Sequence, residues 1–186
     1  MSGYHIRSAV PDDAAQLLDI YGHYVENTAV SFEYEPPEEA EFRERIVRYR
    51  SRYPYLCAEK DGRIDGFAFA HAFRERPAYD YAAEVSIYIR SEVRRTGLGK
   101  LLYTALEDAL KGMGVTNLYA CIAVADDGDP YLTNASPLFH EHMGFRVCGT
   151  FFNCGRKFGR WYTMIWMEKI IGEYTDDPPP LIPYSD

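Results

Sequence analysis

One stretch constrains this chain more than any other. An apolar run from Ala82 to Ile89 passes through Arg94-Arg95-Thr96-Gly97-Leu98-Gly99-Lys100 into an amphipathic helix. The helix stripe is Leu98, Leu101, Leu102, Ala105, Leu106, Ala109 and Leu110, ending at Gly112-Met113-Gly114. A helix start exposes unpaired amides and the positive end of the peptide dipoles. Gly97 and Gly99 carry no side chain to hold a ligand off that backbone. Arg94, Arg95 and Lys100 add positive charge beside it. The segment reads as a phosphate cradle; the plainer alternative is a helix cap with solvated arginines. Two other phosphate-loop patterns fail here. Lys100 is followed by Leu101, and Leu102 stands where a third glycine would be needed.

The flanking segments define the architecture. Tyr4–Ala9 reads as a strand, and Val10-Pro11-Asp12-Asp13 opens a helix with Ala14, Leu17, Leu18, Tyr21, Tyr24 and Val25 at helical spacing. Pro36-Pro37 opens a second helix with the stripe Phe42, Ile46, Tyr49, Tyr53. Its arginines alternate with Glu41 and Glu44, as on a solvated face. Tyr55–Glu59 and Arg63–Phe73 are strands joined by a tight Asp61-Gly62 turn. Tyr81–Arg90 is a third. Asn117–Val124 reads as a strand buried on both faces, Ser136–Met143 as a short helix, Phe145–Asn153 as a strand, Gly155–Arg160 as a turn and Trp161–Lys169 as the last strand. The order β-α-α-β-β-β-α-β-α-β-β predicts a mixed sheet with helices on its faces.

The 186 residues suit one domain, residues 1–171, with a proline-rich tail over 172–186. Pro178, Pro179, Pro180 and Pro183 bar that tail from regular helix or a central strand. A net charge of −8 opposes a general nucleic-acid or anionic-membrane binder. No apolar run reaches the ~18 residues of a membrane helix. Cys57, Cys121, Cys148 and Cys154 form no C-x-x-C pair, and zinc spacing is poor, so no metal is expected. With no leader visible, the cysteines read as buried small hydrophobes of a cytoplasmic protein.

Arg94-x-x-Gly97-x-Gly99 after a strand resembles the pyrophosphate signature of the GNAT acetyltransferase superfamily. Gly144-Phe145 after a short helix also matches. A longer pattern is similar to the phosphinothricin and methionine sulfoximine N-acetyltransferase branch: Thr28–Phe32, Tyr53-Pro54, Arg74–Tyr81 and Lys157–Trp161. The resemblance covers about residues 4 to 170. It implies an α/β (α+β mixed) single-domain GNAT fold: a mostly antiparallel twisted sheet with one splayed strand pair and helices on both faces. It implies acetyl-CoA as co-substrate, a small-molecule amine as acceptor, and a homodimer.

Residue by residue, the resemblance assigns the backbone of Ile87, Tyr88 and Ile89 to the pantetheine arm and the acetyl oxygen. Arg94, Arg95, Thr96, Gly97, Leu98, Gly99 and Lys100 would hold the pyrophosphate. Asn134 would bond the pantetheine. Glu84 shares a strand face with Ser86 and Tyr88 and is the expected general base; the alternative is the first residue of a solvated face. His140 would protonate the leaving thiolate, against the alternative of a partly exposed helix histidine. Phe32, Arg74, Arg76 and Tyr79 would form the acceptor pocket, arginine suiting a carboxylate or phosphinate. Tyr162-Thr163 stands where some relatives carry His-Asp. The expected reaction is direct acetyl transfer to the α-amine of a small amino-acid analogue. A protein N-acetyltransferase and a non-catalytic CoA-binding module are the competing readings.

Overall fold

The computed structural model describes residues 3–185; Met1, Ser2 and the tail's Asp186 lie outside it. The strands are β1 (His5–Ser8), β2 (Tyr55–Lys60), β3 (Arg63–Ala72), β4 (Ala82–Ile89), β5 (Asn117–Val124), β6 (Arg146–Lys157) and β7 (Arg160–Ile170). The helices are α1 (Ala14–Asn27), α2 (Glu39–Arg50), α3 (Leu98–Met113) and α4 (Ala135–His142). The strands form one seven-stranded sheet in the order β1-β2-β3-β4-β5-β7-β6. Every pairing is antiparallel except β4 with β5. The expected fold class and element order both hold.

Alternation along β3 sends its residues to two cores. Ala68 and Ala70 lie beneath the α3 stripe of Leu98, Leu102, Leu106 and Leu110. Phe67 faces α1 and α2, meeting Leu17, Ile20, Tyr24, Phe42 and Ile46. Small residues on one face let α3 sit close, and Gly66 has no room for a Cβ between Ile89, Tyr88 and Leu102. Each fully buried leucine of the α3 stripe contributes ~1.5–3 kcal/mol. Leu101, expected on that stripe, is exposed, and Tyr103 is buried instead.

Both hairpin turns place two consecutive residues at positive φ, the arrangement that matches strand twist. Asp61-Gly62 does so as expected, at 52° and 77°. The other departs from expectation. β6 runs past Asn153 to Lys157, because a bulge between Phe151 and Gly155 absorbs the irregularity. The turn is therefore only Phe158-Gly159, at 50° and 76°.

The tail is a packed strap rather than an appendage. Leu181 and Tyr184 join the α3-side core. Tyr81 donates to the Pro179 carbonyl (3.1 Å), the Ile182 amide to the Met113 carbonyl (3.0 Å), and the Tyr184 amide to the Arg52 carbonyl (3.3 Å). The Tyr184 hydroxyl lies 3.1 Å from Ser8 Oγ.

Candidate active site

The site begins where the sheet comes apart. β4 and β5 pair only through Ala82–Asn117, Ala83–Leu118 and Glu84–Tyr119. Past Glu84 the ladder between them stops, while β4 stays paired with β3 up to Ile89–Gly66. The Arg90 amide donates to the Asp65 carbonyl on the β3 side. On the other edge, the Tyr24 hydroxyl donates to the Ile89 carbonyl at 2.6 Å and accepts the Ile89 amide at 3.3 Å. Alternation then turns the amide and carbonyl of Ile87 into the gap, and those of Tyr88 toward β3. Val30 and Leu132 from two loops, with Ser136 and His140 from α4, line the same gap.

Above the gap, the basic loop makes a tight entry into α3. Arg95 takes φ 64° and Gly97, the N-cap, φ 87°. Thr96 Oγ1 donates to the Val93 carbonyl at 2.8 Å and closes the turn. The Leu101 amide makes the first bond back to Gly97 (3.1 Å), so the amides of Leu98, Gly99 and Lys100 face outward at the helix start. Leu98 anchors the turn in the core. Arg94, Arg95 and Lys100 are exposed, and the Arg94 guanidinium lies 5.3 Å from the Tyr24 ring centre. Gly99 also serves packing. A Cβ there would sit 3.1 Å from Phe139 and 3.2 Å from Ile89, so its bareness lets α3 pack closely on α4 and β4.

Glu84 stands at the fork of the gap, one-fifth exposed. Burial holds its carboxyl above the usual carboxylate range, against the pull of His71 and Arg74. His71 is its cross-strand partner, with Nε2 at 4.0 Å from Oε1. Cys121 is exposed in the gap wall, and so are Cys148 and Cys154; only Cys57 is buried. This overturns the expectation of burial for Cys121, Cys148 and Cys154, while Cys57 meets it. Cys121 stands on the face of β5 opposite the buried Ala120 and Ile122, past the point where β4 leaves β5.

His140 is enclosed, at 3% exposure, so its partly exposed alternative fails. A carbonyl only accepts, so Nδ1–H donates to the Ser136 carbonyl (2.9 Å) and Nε2 accepts from the Tyr103 hydroxyl (2.8 Å). Burial pushes its pKa down to about 4, leaving a neutral ring. Asn134 spends its amide on loop closure. Oδ1 accepts from the Ala125 amide (3.0 Å) and Nδ2 donates to the Ala125 carbonyl (3.2 Å).

On the acceptor side, Phe73 stacks on Tyr119 with centres 4.2 Å apart. Arg74 lies over Phe73 (4.3 Å) and Trp166 (5.4 Å), and Tyr79 meets the Phe73 edge at 5.9 Å. Arg76 sits apart from this cluster, at the exposed start of a single 3-10 turn. Phe32 packs by Tyr162, centres 6.0 Å apart, in a small core where the loops after α1 and β5 meet strands β5 and β7. Lys157, buried at 2%, donates to the carbonyls of Val25 (2.6 Å), Thr28 (2.9 Å) and Ser31 (2.6 Å). Sequence reasoning missed His71, Tyr103, Gly155 and this role of Lys157. For His71 a signal existed: counting back through the turn from Glu84 in antiparallel register brings it opposite. Among the described residues, no group of three or more His, Cys, Asp or Glu is placed to hold a metal, and no helix is long and apolar enough to cross a membrane.

A splayed parallel pair, a helix start above it and a half-buried carboxylate at the fork form one constellation, and comparison identifies it. The acetyltransferase (GNAT) domain model matches residues 6–166. The chain belongs to the GNAT acetyltransferase family. The phosphinothricin N-acetyltransferase of Streptomyces viridochromogenes is 34% identical over 84% of this chain and 82% of its own. The L-methionine sulfoximine/L-methionine sulfone acetyltransferase of Salmonella typhimurium is 28% identical over 91% of this chain and 95% of its own. Among solved structures, a GNAT phosphinothricin acetyltransferase from Sinorhizobium meliloti, in complex with acetyl-CoA, superposes with a TM-score of 0.85. It is 33% identical and covers 96% of this chain and 94% of its own. This GNAT chain is thus an acetyltransferase of the phosphinothricin and methionine sulfoximine branch.

Proposed function

We propose that this acetyltransferase moves the acetyl group of acetyl-CoA to the α-amine of a small amino-acid analogue, with an oxygen-rich head like that of phosphinothricin or methionine sulfone. The observation that carries the reading is the gap beyond Glu84–Tyr119, which offers the Ile87 amide to an incoming carbonyl beside a half-buried carboxylate.

In this reading the gap receives the pantetheine arm, and the amides of Leu98, Gly99 and Lys100 meet the pyrophosphate with the charge of Arg94, Arg95 and Lys100. Acetyl-CoA supplies the activated acetyl group. Glu84 takes a proton from the acceptor ammonium, directly or through a water, and the freed amine attacks the thioester. The Ile87 amide stabilises the developing oxyanion. No covalent acetyl-enzyme is invoked. Both ring nitrogens of His140 are engaged by Ser136 and Tyr103, so His140 shapes the wall of the gap while the leaving thiolate takes the proton shed by the attacking nitrogen. Ile89 and Asn134 support the arm indirectly, since Tyr24 and Ala125 already occupy their polar groups. Arg74 binds the acceptor's carboxylate or phosphinate, Phe32 and Tyr79 form its walls, and Arg76 adds positive charge from outside.

A homodimer belongs to the same proposal. Phe151, Phe152 and Trp161 are exposed at 51%, 80% and 61% near the β6 edge, a surface that a second copy would cover. A cytoplasmic setting fits four free thiols.

The test is thiol release from acetyl-CoA with phosphinothricin, methionine sulfoximine, methionine sulfone, free amino acids and short peptides as acceptors. Turnover on the tetrahedral-head compounds is expected. Turnover on peptides alone would overturn the small-amine reading, and acetyl-CoA binding without any turnover would favour a binding module.

A further inference from the structure

We propose that His71 is the proton outlet of Glu84: a positioning residue on the adjacent strand that takes the acceptor's proton from the carboxyl and returns it to solvent. The inference rests on Glu84 acting as the base.

The geometry starts from register. His71 and Glu84 are directly opposite on β3 and β4, so both side chains rise from the same sheet face. His71 Nδ1 lies 3.1 Å from the Ala72 carbonyl, which can only accept, so Nδ1 carries the hydrogen. In the neutral ring, Nε2 is then a bare lone pair, and it stands 4.0 Å from Glu84 Oε1. Two acceptors face each other. At 4.0 Å they do not bond directly, and a water between them joins the two and carries a proton across. The pair is built to hold a single proton and to pass it across.

The surroundings fix the ring for that task. His71 stacks on Tyr49 with centres 5.3 Å apart and planes 25° apart, and lies 6.2 Å from Phe69. Aromatic faces favour a cation, so the ring is supported when it carries the extra proton. Its side chain is 27% exposed against 20% for Glu84, which leaves it the more open of the two to water. The other polar groups around Glu84 do not suit this exchange. A guanidinium does not exchange protons in the neutral range, and burial pushes the Tyr88 phenol upward. Tyr119, the β5 partner of Glu84, is shifted upward as well. An imidazole exchanges protons in the neutral range.

The steps balance. The acceptor ammonium gives H+ to the Glu84 carboxylate. The amine nitrogen forms the C–N bond to the acetyl carbon, the C–S bond breaks, and the second proton that the nitrogen sheds goes to the leaving thiolate. The Glu84 carboxyl passes H+ through the bridging water to His71 Nε2, and the imidazolium releases it to solvent. Glu84 is again a carboxylate before the next acceptor arrives.

The experiment compares the pH profile of acetyl transfer to methionine sulfone in the wild-type protein, His71→Gln, His71→Ala and Glu84→Gln. His71→Gln should keep the KM for acetyl-CoA, lose about 10²-fold in kcat, and carry its acid limb toward higher pH, because the positive partner that favours the carboxylate is gone. Free imidazole should restore part of the His71→Ala rate. An acid limb that stays in place, with no imidazole rescue, overturns the outlet and makes His71 structural. Full turnover in Glu84→Gln overturns the base reading instead. A second measurement is independent of the His71 variants: the His71 ring titration, followed by NMR, should shift between wild type and Glu84→Gln. An unmoved titration overturns the coupling.

Discussion

Lys157 Nζ lies 2.6 Å from the Ser31 carbonyl oxygen, a bond that fastens the β6–β7 hairpin to the loop carrying Phe32. The same ammonium serves Val25 and Thr28, so three carbonyls at the end of α1 share one buried cation. Lys157→Met keeps the stem and strands those carbonyls. The expected cost is ~1–3 kcal/mol of stability, read as a lower denaturant midpoint. The acceptor KM should rise while the acetyl-CoA KM holds.

Gly155 passes directly beneath the Phe32 ring. A Cβ at residue 155 would sit 1.9 Å from Phe32 Cε2, so Gly155→Ala must push the ring aside. If Phe32 walls the acceptor, this substitution raises the acceptor KM and leaves acetyl-CoA affinity unchanged. Steady-state kinetics with each substrate varied in turn checks it.

Burial raises the Glu84 carboxyl, so its base form appears only above the usual carboxylate range. Activity should fall as pH drops through that raised value. Glu84→Gln should remove this limb and about 10²–10⁴-fold of kcat, measured as a kcat/KM profile across pH.

His140 is held neutral with its pKa lowered to about 4 from 6.5. The unfolded chain binds a proton on this ring below about pH 6.5, and the folded chain does not until about pH 4. Its contribution is therefore fully present above about pH 6.5 and is lost as pH falls through that window. His140→Gln should flatten this part of the stability curve, measured by urea unfolding from pH 7 to pH 4.

Much of this molecule is legible in its sequence, for local reasons. Apolar periodicity marks the helices and strands, and Asp61-Gly62 announces its turn with a residue type that tolerates positive φ. Phe158 hides the second turn, because an aromatic residue at positive φ gives no such signal. The phosphate cradle is legible because its parts are contiguous. The parting of β4 from β5 is not: Cys121 sits in an apolar run that looks the same paired or open. Lys157 shows the limit most clearly. Its carbonyl partners lie up to 132 residues away, and nothing near it says that a lysine is buried.

The strap and the fork act on opposite ends of the same sheet. Below, the tail touches Tyr81, Met113, Arg52 and Ser8 in succession, binding the β1 side to the β5 side. Above Glu84, β4 and β5 share no backbone ladder and meet only through the core beneath α3. The sheet is thus riveted at the base and forked at the tip, like tongs. The same core that holds both arms of the fork also takes in Leu181 and Tyr184 of the tail, so cleft and strap share one foundation although they touch different ends of the strands.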